Sequence, residues 1–526
     1  MLSYLVAIPL LISVFLFIFS FAKAGRVVAI LLQMVQVGYA IHIFWQSRTE
    51  AIYDVVGGYP SVLGIILRAD AVSAAFVIVT AIIFLMASIY SFNEKQSKLY
   101  WFMMFIWQAM IVGLFLTRDF FNVFVLLEVS TVVVVVLIMY NRHSRAMYDG
   151  IIYLMVNIVA MQFYLFGLGY LYMLTGTLDM STMRAHAQQL EPSQLILPLT
   201  LVVTGMAFKA ALLPIFSWMP KVRAIPRTPS PVAAILSGLH VKTIIFILIQ
   251  LFYVFPQVDM SAVMMTLGIV GAVGGIIFAI AQRDIKLILA YSSIAQVGLI
   301  MIGFSLSGEY AYYGSLYHMI NHAIFKVALF LASGMIIEVY GTRDINKISG
   351  IFKKSPTLAV IILLAIGGIV GAPFFNGSMS KYFMMAQVDG PMFWVMTIIN
   401  FGTITVFVRF ATMLFGKPQD ATKAKLDGCK VVTVGLLGLL SLGLGIGGVY
   451  SINFLKDPSL PLTIDTWGYI EKVIAFAISL VIAIVGYKLV LKKANLRPIE
   501  RFDVSFKGIC LSLGAFFAII LLVVGM

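Results

Sequence analysis

The chain has 526 residues, 61% hydrophobic and only 11% charged, with a mean hydropathy of +1.03, and these values exclude an ordinary soluble domain. Its two cysteines, Cys429 and Cys510, fall short of the four thiolates of an iron–sulfur cluster, and no Cys/His spacing resembles a zinc site, so neither metal nor cofactor is expected. The formal net charge of +14 is scattered through short loops between apolar runs, which reads as membrane topology and not as a nucleic-acid surface.

Apolar runs near the roughly 20 residues needed to cross a bilayer begin at about 4, 27, 71, 99, 120, 151, 195, 230, 261, 286, 311, 357, 391, 431, 468 and 507. The expected fold class is therefore an all-α polytopic membrane protein of about sixteen transmembrane helices. The first run is read as a retained span, because no convincing cleavage site follows it. With the N-terminus outside, the inner loops hold twenty-five lysines and arginines and the outer loops six, which places both termini outside.

Five basic residues are left inside spans: Lys209, Lys242, Lys326, Lys381 and Arg409, with Glu128 as the clearest acidic counterpart. Each ionised group at a helix centre costs about 2.5 to 3.5 kcal/mol on the insertion scale. Arg409 and Lys381 lie where a long side chain can reach the headgroups, so snorkelling competes with function for them. Glu128, Lys209, Lys242 and Lys326 lie deeper, where charged groups usually face protein or internal water. Pro214 follows Lys209 by five residues, and Pro373 precedes Lys381 by eight in GAPFFNGSMSK, so both lysines sit beside an expected helix break. A packing kink is the plainer reading of either proline taken alone.

Repetition favours the functional reading. TRDFFNVFVLLEVS, Thr117 to Ser130, has a counterpart in QRDIKLILAYSSI, Gln282 to Ile294, and YLMVNIVAM, Tyr153 to Met161, resembles YHMINHAIF, Tyr317 to Phe325. The step from Asp119 to Asp284 matches the step from Tyr153 to Tyr317 to within a single position, so two segments agree on one register. On the sixteen-helix count the shift spans five helices, an odd number, which inverts the second copy. The expected organisation is N-terminal helices over 1–91, a five-helix repeat over 99–254, an inverted repeat over 261–415 and C-terminal helices over 431–526. Inverted repeats with paired broken helices describe a translocator of ions or solutes.

At these residues the chain resembles the antiporter-like subunits shared by respiratory complex I, membrane-bound energy-converting hydrogenases and Mrp-type sodium/proton antiporters, with the Mrp D subunit nearest in character. The resemblance covers roughly 60 to 416 and rests on RADAVSAAF (Arg68 to Phe76), FNVFVLLE (Phe121 to Glu128), FKAALLPIFSWMP (Phe208 to Pro220) and PSPVAAILSGLHVK (Pro229 to Lys242). RDIKLILAYSSIAQVG (Arg283 to Gly298), NHAIFKVALFLASG (Asn321 to Gly334) and the NGSMSK element ending at Lys381 complete it. It implies a fourteen-helix core followed here by two further helices, and a Glu128/Lys209 pair that sets the protonation of the path. It also implies a membrane-centre lysine at Lys242, the residues His318, His322 and Lys326 on one helix, and Lys381 on a broken one. His318 and His322 are four apart and Lys326 continues their face; imidazoles on one stripe suit a proton relay better than a metal site that lacks a third ligand.

Two departures stand out. Many relatives carry an aspartate-alanine-histidine triplet where this chain has KVRAIPRTP, with Lys221, Arg223 and Arg227, so the inner entrance is differently charged. The spans Tyr469 to Val490 and Ile509 to Val524 exceed the usual D-type length, and the KKANLRPIERFDVSFKG segment between them reads as a basic cytoplasmic loop in preference to an amphipathic surface element. No glycine-rich phosphate loop and no catalytic constellation is present, so catalysis by this chain alone is not expected. The favoured function is proton translocation within an Mrp-type cation/proton antiporter in a bacterial or archaeal cytoplasmic membrane. The alternative is the pump module of a redox complex, and a stand-alone secondary transporter is weaker. Expected partners are other membrane subunits, lipid and protons, with sodium left open and nucleic acid excluded.

Overall fold

In hydrocarbon a backbone must satisfy its own N–H and C=O groups, so uninterrupted apolar runs become α-helices. The computed structural model describes residues 1–18, 23–60, 64–142, 144–216, 218, 228–418, 426–456, 461–502 and 504–525. Among these, thirteen helices are long and apolar enough to span a membrane, and the protein is a multi-pass membrane protein. Each of the sixteen runs starts in or beside a helix; Ser3–Ile18, Pro192–Lys209 and Pro356–Val370 are the shorter ones. The exception to the helical pattern is a small antiparallel hairpin of β1 (Ile52–Val55) and β2 (Ile66–Ala69).

The helices that position the site are α1 (Phe120–Ile138), α2 (Ser144–Thr175), α3 (Pro192–Lys209), α4 (Ser230–Val254), α5 (Ser261–Ala281), α6 (Ile285–Ser305), α7 (Glu309–Tyr340), α8 (Pro356–Val370), α9 (Asn376–Met385), α10 (Gly390–Ala411), α11 (Gly428–Ile446), α12 (Thr466–Gly486), α13 (Arg497–Glu500) and α14 (Phe506–Gly525). Two compact units divide the chain. The first is Met1–Val232, Leu239–Val263 and Val504–Met526; the second is Ala233–Gly238 and Met264–Asp503.

Features of the first unit recur in the second in one register. Helices α2 and α7 are both 32 residues long, and their starts at Ser144 and Glu309 are spaced as Asp119 and Asp284 are. Asp119 caps α1 through the Asn122 N–H and bridges to Asp179; Asp284 caps α6 through the Lys286 and Leu287 N–H groups and bridges to Asp344. The backbone bonds flanking each bridge match one for one: Phe120 N–H to Leu178 and Met180 N–H to Arg118 in one unit, Ile285 N–H to Arg343 and Ile345 N–H to Arg283 in the other.

Close helix approach in each unit uses glycine, as expected where apolar lipid supplies no drive for helices to associate. A Cβ on Gly205 of α3 would lie 2.7 Å from the Ala160 carbonyl of α2, and one on Gly298 of α6 would lie 2.4 Å from the Ala272 nitrogen of α5. The segment expected to be a basic loop is partly helical and docked. Short helix α13 carries Glu500 to within 3.3 Å of Arg283, and the Phe502 ring lies 5.5 Å from Phe278. The apolar Phe502 and the acidic Glu500 give this basic stretch something to anchor.

Candidate functional site

In the first unit, helix α3 ends at Lys209 and the chain turns through Ala210–Ile215, with Ala211 at φ 54° and a cis Leu213–Pro214 peptide. The break leaves carbonyls in need of donors. Trp218 supplies one, its indole N–H reaching the Phe208 carbonyl at 2.9 Å. Lys209 is 1% exposed, and its Nζ lies 3.5 Å from Glu128 Oε1 and donates to Thr131 Oγ1. Thr131 in turn donates to the Leu127 carbonyl at 2.8 Å. The ammonium is thus held between a carboxylate and a hydroxyl on successive turns of α1, and Glu128 keeps 28% of its side chain exposed.

Helix α4 contains a π-helical turn over Leu236–His240. Such turns recur at functional sites. Fully buried Lys242 lies two residues beyond it. His240 in the same turn accepts the Trp107 indole N–H on Nδ1 at 3.4 Å, so a neutral His240 carries its proton on Nε2.

In the second unit, His318, His322 and Lys326 are fully buried along α7. The two imidazole centroids are 6.4 Å apart. Lys326 Nζ donates to Ser292 Oγ of α6 at 2.5 Å, and Ser292 donates to the Leu289 carbonyl at 3.0 Å. His318 is gripped from both ring edges, by Gln296 Oε1 at 3.0 Å on Nε2 and by Ser380 Oγ at 2.9 Å on Nδ1. Gln296 is oriented by donating its amide to Thr403 at 3.1 Å. Nε2 must therefore donate. Ser380 has a single proton and three acceptors within reach, His318 Nδ1, the Asn376 carbonyl at 3.0 Å and the Gly377 carbonyl at 3.4 Å. With the hydroxyl turned to Nδ1 the imidazole is neutral; turned to Asn376, it leaves Nδ1 to donate and the ring is an imidazolium. One hydroxyl rotation matches one protonation change.

Helices α8 and α9 flank the second break, at Gly371 (φ 75°) and Phe374 (φ 68°). Three backbone bonds here repeat the first break one for one: Gly371 to Gly368, Ala372 to Gly367 and Phe375 to Ala372, against Ala211 to Phe208, Leu212 to Ala207 and Ile215 to Leu212. Lys381 is 3% exposed, and its Nζ donates to the Ile369 carbonyl at 3.0 Å near the end of α8. It turns into the break and does not snorkel. Arg409, in the last turn of α10, donates to the Ile280 carbonyl.

Of the residues singled out in the sequence, Glu128 and Lys209 meet, Lys242 is buried beside the π turn, and His318 is tied to the residue next to Lys381. Lys221, Arg223 and Arg227 lie outside the described residues. Sequence reading passed over Thr131, His240, Ser292, Gln296 and Ser380. A signal did exist, because Thr131 is one turn from Glu128, and Ser292 and Gln296 share a face of α6 at i, i+4 spacing.

Comparison with known proteins places the chain in a family. The NADH:quinone oxidoreductase/Mrp antiporter transmembrane family matches residues 117–407. The chain belongs to this family. It is 31% identical over 388 residues to NADH-quinone oxidoreductase subunit N of Desulforudis audaxviator, covering 70% of this chain and 77% of that protein. It is 26% identical over 397 residues to the D subunit of the Na(+)/H(+) antiporter of Alkalihalophilus pseudofirmus, covering 72% and 78%. Two solved structures share the fold: a chain of the membrane-bound sulfane sulfur reductase, an archaeal respiratory membrane complex, with TM-score 0.80, 23% identity and coverage of 91% and 99%, and a chain of the Mrp complex from Dietzia, with TM-score 0.79, 21% identity and coverage of 90% and 98%. The family match spans every candidate residue from Glu128 to Lys381, while α12, α13 and α14 lie beyond it.

Proposed function

We propose that this family member is the proton-translocating subunit of a multisubunit membrane complex, working in Mrp-type cation/proton antiport. The observation that carries this is the partner set of the buried lysines: a carboxylate and a hydroxyl for Lys209, a hydroxyl for Lys326 and a carbonyl for Lys381. In a low dielectric, burial disfavours an ammonium and a nearby carboxylate favours it, so moving the carboxylate changes proton affinity by about 1.4 kcal/mol per pKa unit. Loosening of the Glu128/Lys209 pair releases a proton to Lys242. His318, His322 and Lys326 pass it to Lys381. Pro214 and Pro373 mark the two breaks, and the two sets of elements act as inverted half-paths in a bacterial or archaeal cytoplasmic membrane with both termini outside. The intramembrane charges are mainly basic, which supports protons on the main path.

The second reading, the pump module of a redox complex, is favoured by the 31% identity to a quinone oxidoreductase subunit. Purification from the native membrane in mild detergent, with mass spectrometry of the companions, separates the two. Small membrane subunits alone support antiport; hydrophilic subunits with flavin, nickel or iron–sulfur ligands make it a redox pump. In either complex Glu128→Gln and Lys242→Ala are expected to abolish proton transport in vesicles while assembly persists, and normal transport in either variant refutes the relay.

A further inference from the structure

Helix α12 lies outside the matched family region and is almost wholly exposed, with Ile474, Ile478, Val481 and Ile482 facing outward as apolar cover. Its first two turns are different in kind. Asp465, the cap of α12, donates its backbone N–H to the Tyr382 hydroxyl at 3.0 Å. The Tyr469 hydroxyl accepts the Phe374 N–H at 3.3 Å and lies 3.2 Å from Ser378 Oγ. Lys472 donates through Nζ to the Ser378 carbonyl, with its ammonium 5.6 Å from the Tyr382 ring centre. All of these groups belong to the break that holds Lys381. An otherwise apolar helix therefore sends one amine into that break.

Lys381 holds the carbonyl of Ile369 before the break and Lys472 that of Ser378 after it. The Lys381 stem passes 3.3 Å from the Cβ position of Gly371, and Gly377, next to Ser378, packs against Gly371. Among the described residues neither lysine has an ion pair. Two ammonium groups at one break in a low dielectric oppose each other's charge. The titratable groups on the elements packed there include Tyr382 on α9, the cap Asp465 with Tyr469 and exposed Glu471 of α12, exposed Asp389 at the start of α10 with Arg409 in its last turn, and Tyr310, Tyr317 and His318 on α7.

We propose that Lys472 is a proton-carrying residue that extends the path beyond Lys381 to the outer face. This rests on the relay reading above. The proton leaving Lys381 Nζ, which becomes a neutral amine, arrives on the neutral amine of Lys472; Lys472, now an ammonium, yields it to water at the outer surface. Each transfer moves one proton and restores one amine.

The test uses the whole complex in everted vesicles, with proton transport followed by a pH-sensitive dye and complex assembly measured on native gels. Lys472→Met is expected to lower transport at least tenfold. Lys472→Arg keeps the charge and the carbonyl contact but cannot release a proton, and it is expected to lose transport as well. Full transport in Lys472→Arg overturns the proposal by reducing Lys472 to a clamp, and full transport in Lys472→Met overturns it outright. If Lys472→Met does not accumulate, Lys472→Arg alone decides. Lys242→Ala runs in parallel: if it transports normally the relay reading itself fails, whereas loss there with normal Lys472 variants removes only the Lys472 step.

Discussion

At the scale of one residue, His318 is a buried side chain held from both ring edges. Gln296 fixes Nε2 as a donor, and in the proposed relay Ser380 answers to the state of Nδ1. Removing that hydroxyl leaves a buried ring nitrogen without its responsive partner, a loss of about 1 to 3 kcal/mol. Ser380→Ala is accordingly expected to slow proton transport about tenfold, with Ser380→Thr retaining most of it; both are read from initial rates in vesicles. The histidine was legible in the sequence because it is an ionisable group in an apolar span. Ser380 was not, because small polar residues are common in membrane helices and acquire meaning only from what faces them, here α7 across from α9.

Among the elements, the two broken helices matter most. Proline flagged both breaks, yet proline is only part of their construction. Trp218 holds a carbonyl at the first break, and Lys381 does so at the second. The second break also requires the absence of side chains: a Cβ on Gly377 would stand 1.9 Å from the Gly368 carbonyl, and one on Gly445 of α11 would stand 2.0 Å from that of Phe374. Backbone cannot yield as a flexible side chain does, so Gly377→Ala is expected to destabilise the folded protein by about 1 to 3 kcal/mol, seen as a lowered midpoint in thermal unfolding in detergent. A control at Gly443, where a Cβ meets nothing within 4 Å, is expected to be nearly neutral. The docking of α13 on Arg283 was misjudged from sequence, because its one acidic and one aromatic anchor are outweighed in composition by the surrounding lysines and arginines.

For the whole molecule, the most informative feature is that caps, bridges and a long helix occur at one spacing in both units, as the Arg-Asp pair and the tyrosine-led segment do in the sequence. What the sequence concealed is the bridge each of these aspartates makes, since their partners Asp179 and Asp344 stand in unremarkable loops. Each unit holds a buried lysine with a neutral hydroxyl partner, Lys209 with Thr131 and Lys326 with Ser292. If the half-paths act in series, blocking either one stops the whole. The decisive measurement is the proton-transport rate of the assembled complex in vesicles carrying Glu128→Gln in one preparation and Lys326→Met in another. The relay predicts that each alone reduces transport to background while the complex remains assembled; wild-type transport in either preparation contradicts it.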